Sequence, residues 1–337
     1  MLPSILMNLA HPIRFFALND DLQETVRLAL PDEQIVFKSH AQEGFSEALA
    51  AAEIYCGWIF PSKWIPNASR MKWLHTPAAG SDYIDSPALA ASGIRVTLSS
   101  GYHGIPMAVQ AVALVLAFSR GLFYSRSRQK ENGWWRDEMV NQTVDLEGRT
   151  AVIVGCGSIG LHVVRRFREL GLRCIGVRRR IPSEAVDGLT WCPVGDLGTV
   201  LPGAAVVVNL LPYSPATEAF FDDRLFPVMG PGCLFINLGR GKTVDEAALI
   251  RGLDQGTVAW AGLDVLREEP TPDDNPLRFH PRVVITPHSS TFSNRFMRDA
   301  MQQFVERVRI FRSGGELPDV LHPRSAGHMP KLDERPS

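Results

Sequence analysis

The chain has 337 residues, 45% hydrophobic and 21% charged, with Lys plus Arg at 35 against Asp plus Glu at 36. That length favours two domains over one core, and the composition is that of a globular protein in water. The near-even charge excludes a global basic field that would recruit nucleic acid.

In chain order, "MLPSILMNLAHPIRFF" holds a weak apolar stretch broken by Asn8 and Pro12. Without a basic n-region or a small-residue cleavage site it does not read as a signal peptide. No uncharged apolar run reaches membrane-spanning length, so no membrane partner is expected. "PIRFFAL" and "EQIVF" are predicted strands, "FSEALAAAE" a helix, and "YCGWIF" and "IRVTL" strands again. Such alternation predicts an α/β layer with a parallel sheet.

"IPMAVQAVALVLAFSRGLFYSRSRQKENGWW" follows, with Pro106 suited to a first helical turn and Gly121 ending or interrupting the helix. A helix this apolar must be covered on most sides, which places it between domains or at a subunit interface. A more regular series then begins: "TAVIVG", "CIGVR", "AAVVVNLLP", "CLFINLG", "AWAGLDV" and "VVITPH". Consecutive β-branched and apolar residues are those of strands buried on both faces of a parallel sheet. After His288 comes one more helix, "SNRFMRDAMQQFVERVRIFRSG", and then a tail containing Pro and Gly. The five cysteines (Cys56, Cys156, Cys174, Cys192, Cys233) show no ligand spacing, so no metal is expected. Their odd number and apolar neighbours suggest reduced thiols in a cytoplasmic compartment.

"VIVGCGSIG" sets Gly155, Gly157 and Gly160 between a strand and the helix "LHVVRRFREL". In a dinucleotide site the first glycine permits the tight turn, the second admits the pyrophosphate and the third packs helix on strand. The helix N-terminus then faces the phosphates. An NAD enzyme places an acid at the end of the next strand; here, 23 residues after Gly155, stands Arg178, followed by Arg179 and Arg180. Guanidinium groups bind a 2′-phosphate that a carboxylate would repel. NADP is the expected cofactor, with Arg178 and Arg179 as its selectors and Arg180 solvated. NAD remains possible if the run is only a solvated basic turn.

Three more ionisable residues follow strands of the same series: Arg240 in "FINLGRGKTVDEAAL", Glu269 in "AGLDVLREEP" and His288 in "VVITPHSS". Ligands in open α/β sheets bind outside the carboxyl ends of strands. Singly, Arg240 could pair with a surface acid, Glu269 could be solvated and His288 could be a capping residue. Together they suit hydride chemistry on a 2-oxo acid. Arg240 would grip the carboxylate and its adjacent carbonyl, and His288 would be the acid or base. Glu269 would bond the other imidazole nitrogen, orienting the ring and raising its pKa.

From about residue 75 to 290 these segments resemble, in order, the D-isomer-specific 2-hydroxyacid dehydrogenases. "AAGSDYID" resembles the substrate loop, "VGCGSIG" the nucleotide loop and "NLLPYSPATEAFFD" a Leu-Pro-Leu-Thr-Pro-Glu-Thr segment. "INLGRGKTVDEAALIRGLDQG", "AGLDVLREEP" and "VVITPH" resemble the Arg, Glu and His signatures.

The resemblance implies an α/β, two-domain protein: a Rossmann-type NAD(P) domain over 106–290 and a discontinuous, flavodoxin-like substrate domain over 1–105 with 291–337. It implies domain closure around cofactor and substrate, and a homodimer with the helix after Pro106 near its interface. It assigns the backbone amides of Ala79 and Gly80 to the substrate carboxylate, Asp264 to the nicotinamide amide, and Ser158 and Ile159 to the pyrophosphate. Leu211, Pro212, Leu238 and Gly239 would complete the cofactor site.

The implied activity is NADPH-preferring reduction of a 2-oxo acid to the D-2-hydroxy acid, and the reverse. The alternative is a dinucleotide-sensing scaffold of corepressor type on the same fold. A formate-type enzyme would want an amide partner for the His where this chain has Glu269. Two departures stand out: Gln110 where the family usually has Glu, and "PHSS" in place of small apolar residues and glycine. Tyr102, Met107, Trp134 and Trp135 could line a substrate pocket, although apolar residues at helical spacing are more often core.

Overall fold

The computed structural model describes residues 4–320 apart from 81–83, 85, 100, 132 and 319. They form two compact units, one running to His103 and resuming at Phe292, the other spanning Gly104–Thr291.

The first unit is a five-stranded sheet with all pairings parallel. Its elements are β1 (Ser4–Asn8), α1 (Asp20–Ala29), β2 (Gln34–Phe37), α2 (Phe45–Ala51), β3 (Ala52–Gly57), β4 (Trp73–Thr76), α3 (Ser86–Ser92) and β5 (Arg95–Leu98). The strand order β2-β1-β3-β4-β5 is that of flavodoxin-like sheets. The strand expected at "PIRFFAL" is absent. The first strand is instead "SILMN", with Ile5, Leu6 and Met7 fully buried, and Arg14–Phe16 is a single 3₁₀ turn. Proline cannot donate to a ladder, and alternation would send Phe15 and Phe16 to opposite faces. Both rings instead join one cluster with Trp58 and Phe296. The strand expected at "YCGWIF" begins three residues earlier, at Ala52, directly after α2.

The second unit opens with α4 (Gly104–Ser119) and α5 (Leu122–Arg128), bent by 61° at a break that includes Gly121, whose φ is +60°. Met107, Leu114, Val115 and Phe118 of α4 are buried, each contributing about 1.5–3 kcal/mol relative to exposure. No single helix among the described residues is long and apolar enough to cross a membrane.

Next come β6 (Thr150–Val154), α6 (Ser158–Glu169), β7 (Arg173–Arg178), β8 (Leu189–Pro193), α7 (Leu197–Val200) and β9 (Ala204–Asn209). They are followed by β10 (Cys233–Asn237), α8 (Glu246–Gln255), β11 (Val258–Leu263) and β12 (Val283–Ile285). The seven strands are parallel in the order β12-β11-β10-β9-β6-β7-β8. The order reverses beside β6, where β7 lies on one side and β9 on the other. That is the switch point of a doubly wound Rossmann sheet, where ligands bind.

The last helix, α9 (Phe296–Arg312), returns to the first sheet. Phe304 stacks on Trp73 with centroids 5.7 Å apart, and Arg312 forks onto Glu33 while also binding Glu53. From residue 321 the predicted tail lies outside the described residues.

Candidate active site

Gly155 directly follows β6 at a φ of +83°, and a Cβ there would lie 2.9 Å from the Leu210 carbonyl carbon. Its amide and that of Cys156 both donate to the Val177 carbonyl, closing the turn against β7. Gly157 is the N-cap of the twelve-residue α6. A Cβ there would meet nothing nearer than a carbonyl oxygen at 4.0 Å, so the space over its backbone is open. A diphosphate fits this cradle, facing the first helical amides, which have no intrahelical partner. Ser158 and Ile159 are the first residues of that helix. Gly160 packs inward, its missing Cβ only 3.0 Å from Cys156 Sγ.

Arg178 is the last residue of β7 and half-buried; Arg179 and Arg180 are exposed. The Arg178 guanidinium lies 5.7 Å from the Trp191 ring centroid. Trp191 belongs to edge strand β8, paired with Gly176, so a cation–π contact presents the charge at the strand end.

The turns after β9 and β10 are pressed together. A Cβ on Gly239 would be 2.7 Å from the Leu211 carbonyl oxygen, and one on Gly241 only 1.8 Å from that of Leu266. Asn209 and Asn237, both fully buried, tie these turns. Asn209 Nδ2 donates to Asn237 Oδ1 (3.0 Å) and Thr243 Oγ1 (2.7 Å). The Leu211 amide donates to Asn209 Oδ1 (3.0 Å), and the Gly239 amide to Asn237 Oδ1 (3.1 Å). The Leu210–Leu211 backbone therefore lies against both Gly155 and Gly239, whereas Leu238 is buried in the core and Pro212 is exposed. The two asparagines were not among the predicted site residues. Their shared place, last in consecutive strands before "LL" and "LG", was the available signal. Arg240 is held through its carbonyl by Asn237 Nδ2 (3.3 Å) and Thr243 Oγ1 (2.6 Å), while its Nη1 donates to Gly239 O (2.9 Å).

His288 Nδ1 lies 2.6 Å from Glu269 Oε2, and Glu269 Oε1 accepts from the Leu266 amide at 3.0 Å. Burial pushes the Glu269 carboxyl up. The hydrogen bond and charge of His288, the Leu266 amide and the charge of Arg240 outweigh it and hold the group below its ordinary value. Glu269 is thus within electrostatic reach of both His288 and Arg240.

His288 has φ +51°, a left-handed conformation costing a non-glycine residue about 1–2 kcal/mol. Asp264, 2% exposed, compensates. Its carbonyl accepts the His288 amide (2.8 Å). Its Oδ1 accepts from the Ser289 amide (2.9 Å) and Thr286 Oγ1 (2.5 Å), and its Oδ2 from the Ser290 amide (2.9 Å). Each of these bonds secures the loop that carries His288.

Ala79 and Gly80 follow β4 in the first unit, Ala79 exposed. Ser81, Asp82, Tyr83 and Asp85 of the same motif lie outside the described residues. Met107 is core, 6% exposed, and Trp134 is 82% exposed. Trp135 Nε1 donates to Ser125 Oγ, and Tyr102 Oη to the Pro77 carbonyl in the first unit. All five cysteines are free and buried, and no group of residues suited to a metal occurs among the described residues.

A family model described as the NAD binding domain of D-isomer specific 2-hydroxyacid dehydrogenases matches residues 112–290. D-3-phosphoglycerate dehydrogenase 2 of Arabidopsis thaliana is 32% identical over 239 residues, 71% of this chain and 38% of that protein. The chain spans less than half the length of the phosphoglycerate dehydrogenases it matches. Glyoxylate reductase of Thermococcus gammatolerans is 31% identical over 262 residues, 76% of this chain and 77% of that one. Among solved structures, a D-isomer specific 2-hydroxyacid dehydrogenase from Xanthobacter autotrophicus Py2, in complex with NADPH and MES, superposes with a TM-score of 0.81. It is 25% identical and covers 96% of this chain and 99% of that one. The match to an NAD binding domain and the NADPH-bound relative support a nicotinamide dinucleotide as cofactor, and the glycine cradle fits it.

A carboxyl held below its ordinary value of 4.5 stabilises the folded state above that pH and loses the contribution as acid titrates it. Glu269→Gln is therefore expected to destabilise at pH 7, with the deficit shrinking as pH falls below about 4.5. Urea unfolding of both proteins across that range reads the deficit; one that stays constant with pH would refute the coupling.

Proposed function

The chain belongs to the D-isomer specific 2-hydroxyacid dehydrogenase family, and from that premise we propose that it reduces a small 2-oxo acid to the D-2-hydroxy acid, and the reverse, preferring NADPH. The observation that carries the reading is the 2.6 Å His288–Glu269 pair with Arg240 in reach, all three following strands of the nucleotide-binding sheet. The nicotinamide, when bound, supplies or takes up the hydride. His288 Nε2 gives a proton to the substrate carbonyl oxygen in reduction and removes it from the hydroxyl in oxidation. Glu269, bonded to Nδ1, sets the tautomer and holds the ring in one orientation. Arg240 binds the carboxylate and polarises the adjacent carbonyl.

In this reading residues 106–290 form the nucleotide domain, and 1–105 with 291–337 the substrate domain, to which Ala79 and Gly80 contribute. The buried free thiols suit a cytoplasmic, reducing compartment.

Initial rates with NADH and NADPH against glyoxylate, hydroxypyruvate, pyruvate and phenylpyruvate test the activity. Turnover of at least one acid is expected, and His288→Ala should lower kcat about a hundredfold or more while leaving dinucleotide affinity intact. No turnover across the panel, or near-normal kcat in the variant, would sink the reading.

Arg178 and its Trp191 support favour NADPH. Arg178→Asp should invert the ratio of kcat/KM for NADPH over NADH, because a carboxylate repels the 2′-phosphate and accepts ribose hydroxyls. An unchanged ratio would reduce the arginine run to a surface turn.

Ile105, Val109 and Leu116 lie on one face of α4 yet are 57%, 54% and 37% exposed, an apolar stripe that supports a homodimer formed through this helix. Sedimentation should give a dimer at micromolar concentration and a monomer for Val109→Glu. A monomeric native chain would count against the assembly.

A further inference from the structure

One polar side chain of α4 lies close to the catalytic loop. Gln110 Nε2 is 3.2 Å from Thr286 Oγ1, and Thr286 Oγ1 is 2.5 Å from Asp264 Oδ1. The donor inventory sets the direction of this chain. A carboxylate only accepts, so the one hydroxyl proton of Thr286 goes to Asp264. The threonine oxygen is then an acceptor towards Gln110, and only a donor at position 110 completes the bond. The amide of glutamine is such a donor; an ionised glutamate is not.

From these contacts we propose that Gln110 is a positioning residue for His288, acting through Thr286 and Asp264. The proposal rests on the assignment of His288 as acid and base. A left-handed non-glycine residue persists only where its surroundings over-determine it, and Asp264 provides this at His288 by accepting the Ser289 and Ser290 amides. Asp264 holds both amides only while its own oxygens keep their orientation. Thr286 fixes that orientation, and Gln110 fixes the Thr286 hydroxyl from outside the loop. Loss of the outer donor frees the threonine rotor, lets the carboxylate turn and releases the histidine from its strained conformation.

Gln110→Glu, Gln110→Leu, Thr286→Val and Thr286→Ser test the chain together. Both Gln110 variants and Thr286→Val should lower kcat about tenfold at neutral pH, because a small misplacement of a catalytic group is costly. Thr286→Ser, which keeps the hydroxyl, should retain most of the activity. The discriminating readout is the ratio of Gln110→Glu to native kcat as a function of pH. Protonated glutamic acid regains a donor, so the ratio should rise as pH falls, while that of Gln110→Leu stays flat. Asp264, Glu269, His288 and Arg240 are common to all variants, so their titrations cancel in the ratio.

Equal, pH-independent ratios for the two Gln110 variants, or kcat within twofold of native in both, would overturn the proposal. Hydrogen exchange over residues 286–290 provides a readout free of turnover. Faster exchange there in Gln110→Leu, with residues 150–160 unchanged, supports the chain of bonds even if no 2-oxo acid is a substrate. Unchanged exchange over 286–290 refutes it in either case.

Discussion

Backbone meets backbone at the carboxyl ends of the central strands, and the geometry of the site depends on that closeness. Leu210 lies against Gly155, Leu211 against Gly239 and Leu266 against Gly241, each so near that a Cβ would collide with main-chain atoms. Successive turns of one parallel sheet thereby stack without side chains between them. The groups they carry are held on rigid strand ends, which position chemistry more accurately than free loops do. A methyl group at Gly241 would push the turn carrying Arg240 off the one that leads to Glu269.

Close stacking leaves polar main-chain groups without water, and buried side chains take its place. Asn209, Asn237, Thr243 and Asp264 are all nearly or fully buried, and each accepts or donates several bonds to the turns around it. A buried polar network is stabilising only when its members are satisfied. The same bonds that offset desolvation hold the Arg240 carbonyl and secure the loop in which His288 takes its left-handed conformation. Burial of Glu269 works against its charge, and the surrounding donors and cations reverse the balance.

Much of the second unit was legible because its strands are mostly consecutive apolar residues, several of them β-branched, the pattern of a sheet covered on both faces. The first unit was less legible. Strand β4 contains His75 and Thr76, fully buried, and such polar residues break the apolar signal. Their burial depends on partners distant in sequence. Trp73 Nε1 donates to Thr97 Oγ1 at 2.8 Å, His75 Nδ1 lies 2.9 Å from the same hydroxyl, and Ser99 Oγ lies 3.2 Å from His75 Nε2. At "PIRFFAL" the composition suggested a strand, but an aromatic cluster drawing on Trp58 and Phe296 favoured a turn.

Sequence alone was sufficient for whatever depends on short-range pattern: the glycine turn between strand and helix, the arginine run at the end of the next strand, and the order of Arg240, Glu269 and His288. These follow from periodicity and local backbone chemistry, which neighbouring residues carry. Tertiary structure alone decided the strand orders of the two sheets, the Trp191 support beneath Arg178, the paired asparagines and the fixing of His288 by Asp264. Each joins residues of separate elements, and a hydrogen bond or ring contact between them has no signature until the chain has folded. The positive φ of His288 belongs to this second group, because local preference disfavours it and only the folded surroundings make it stable.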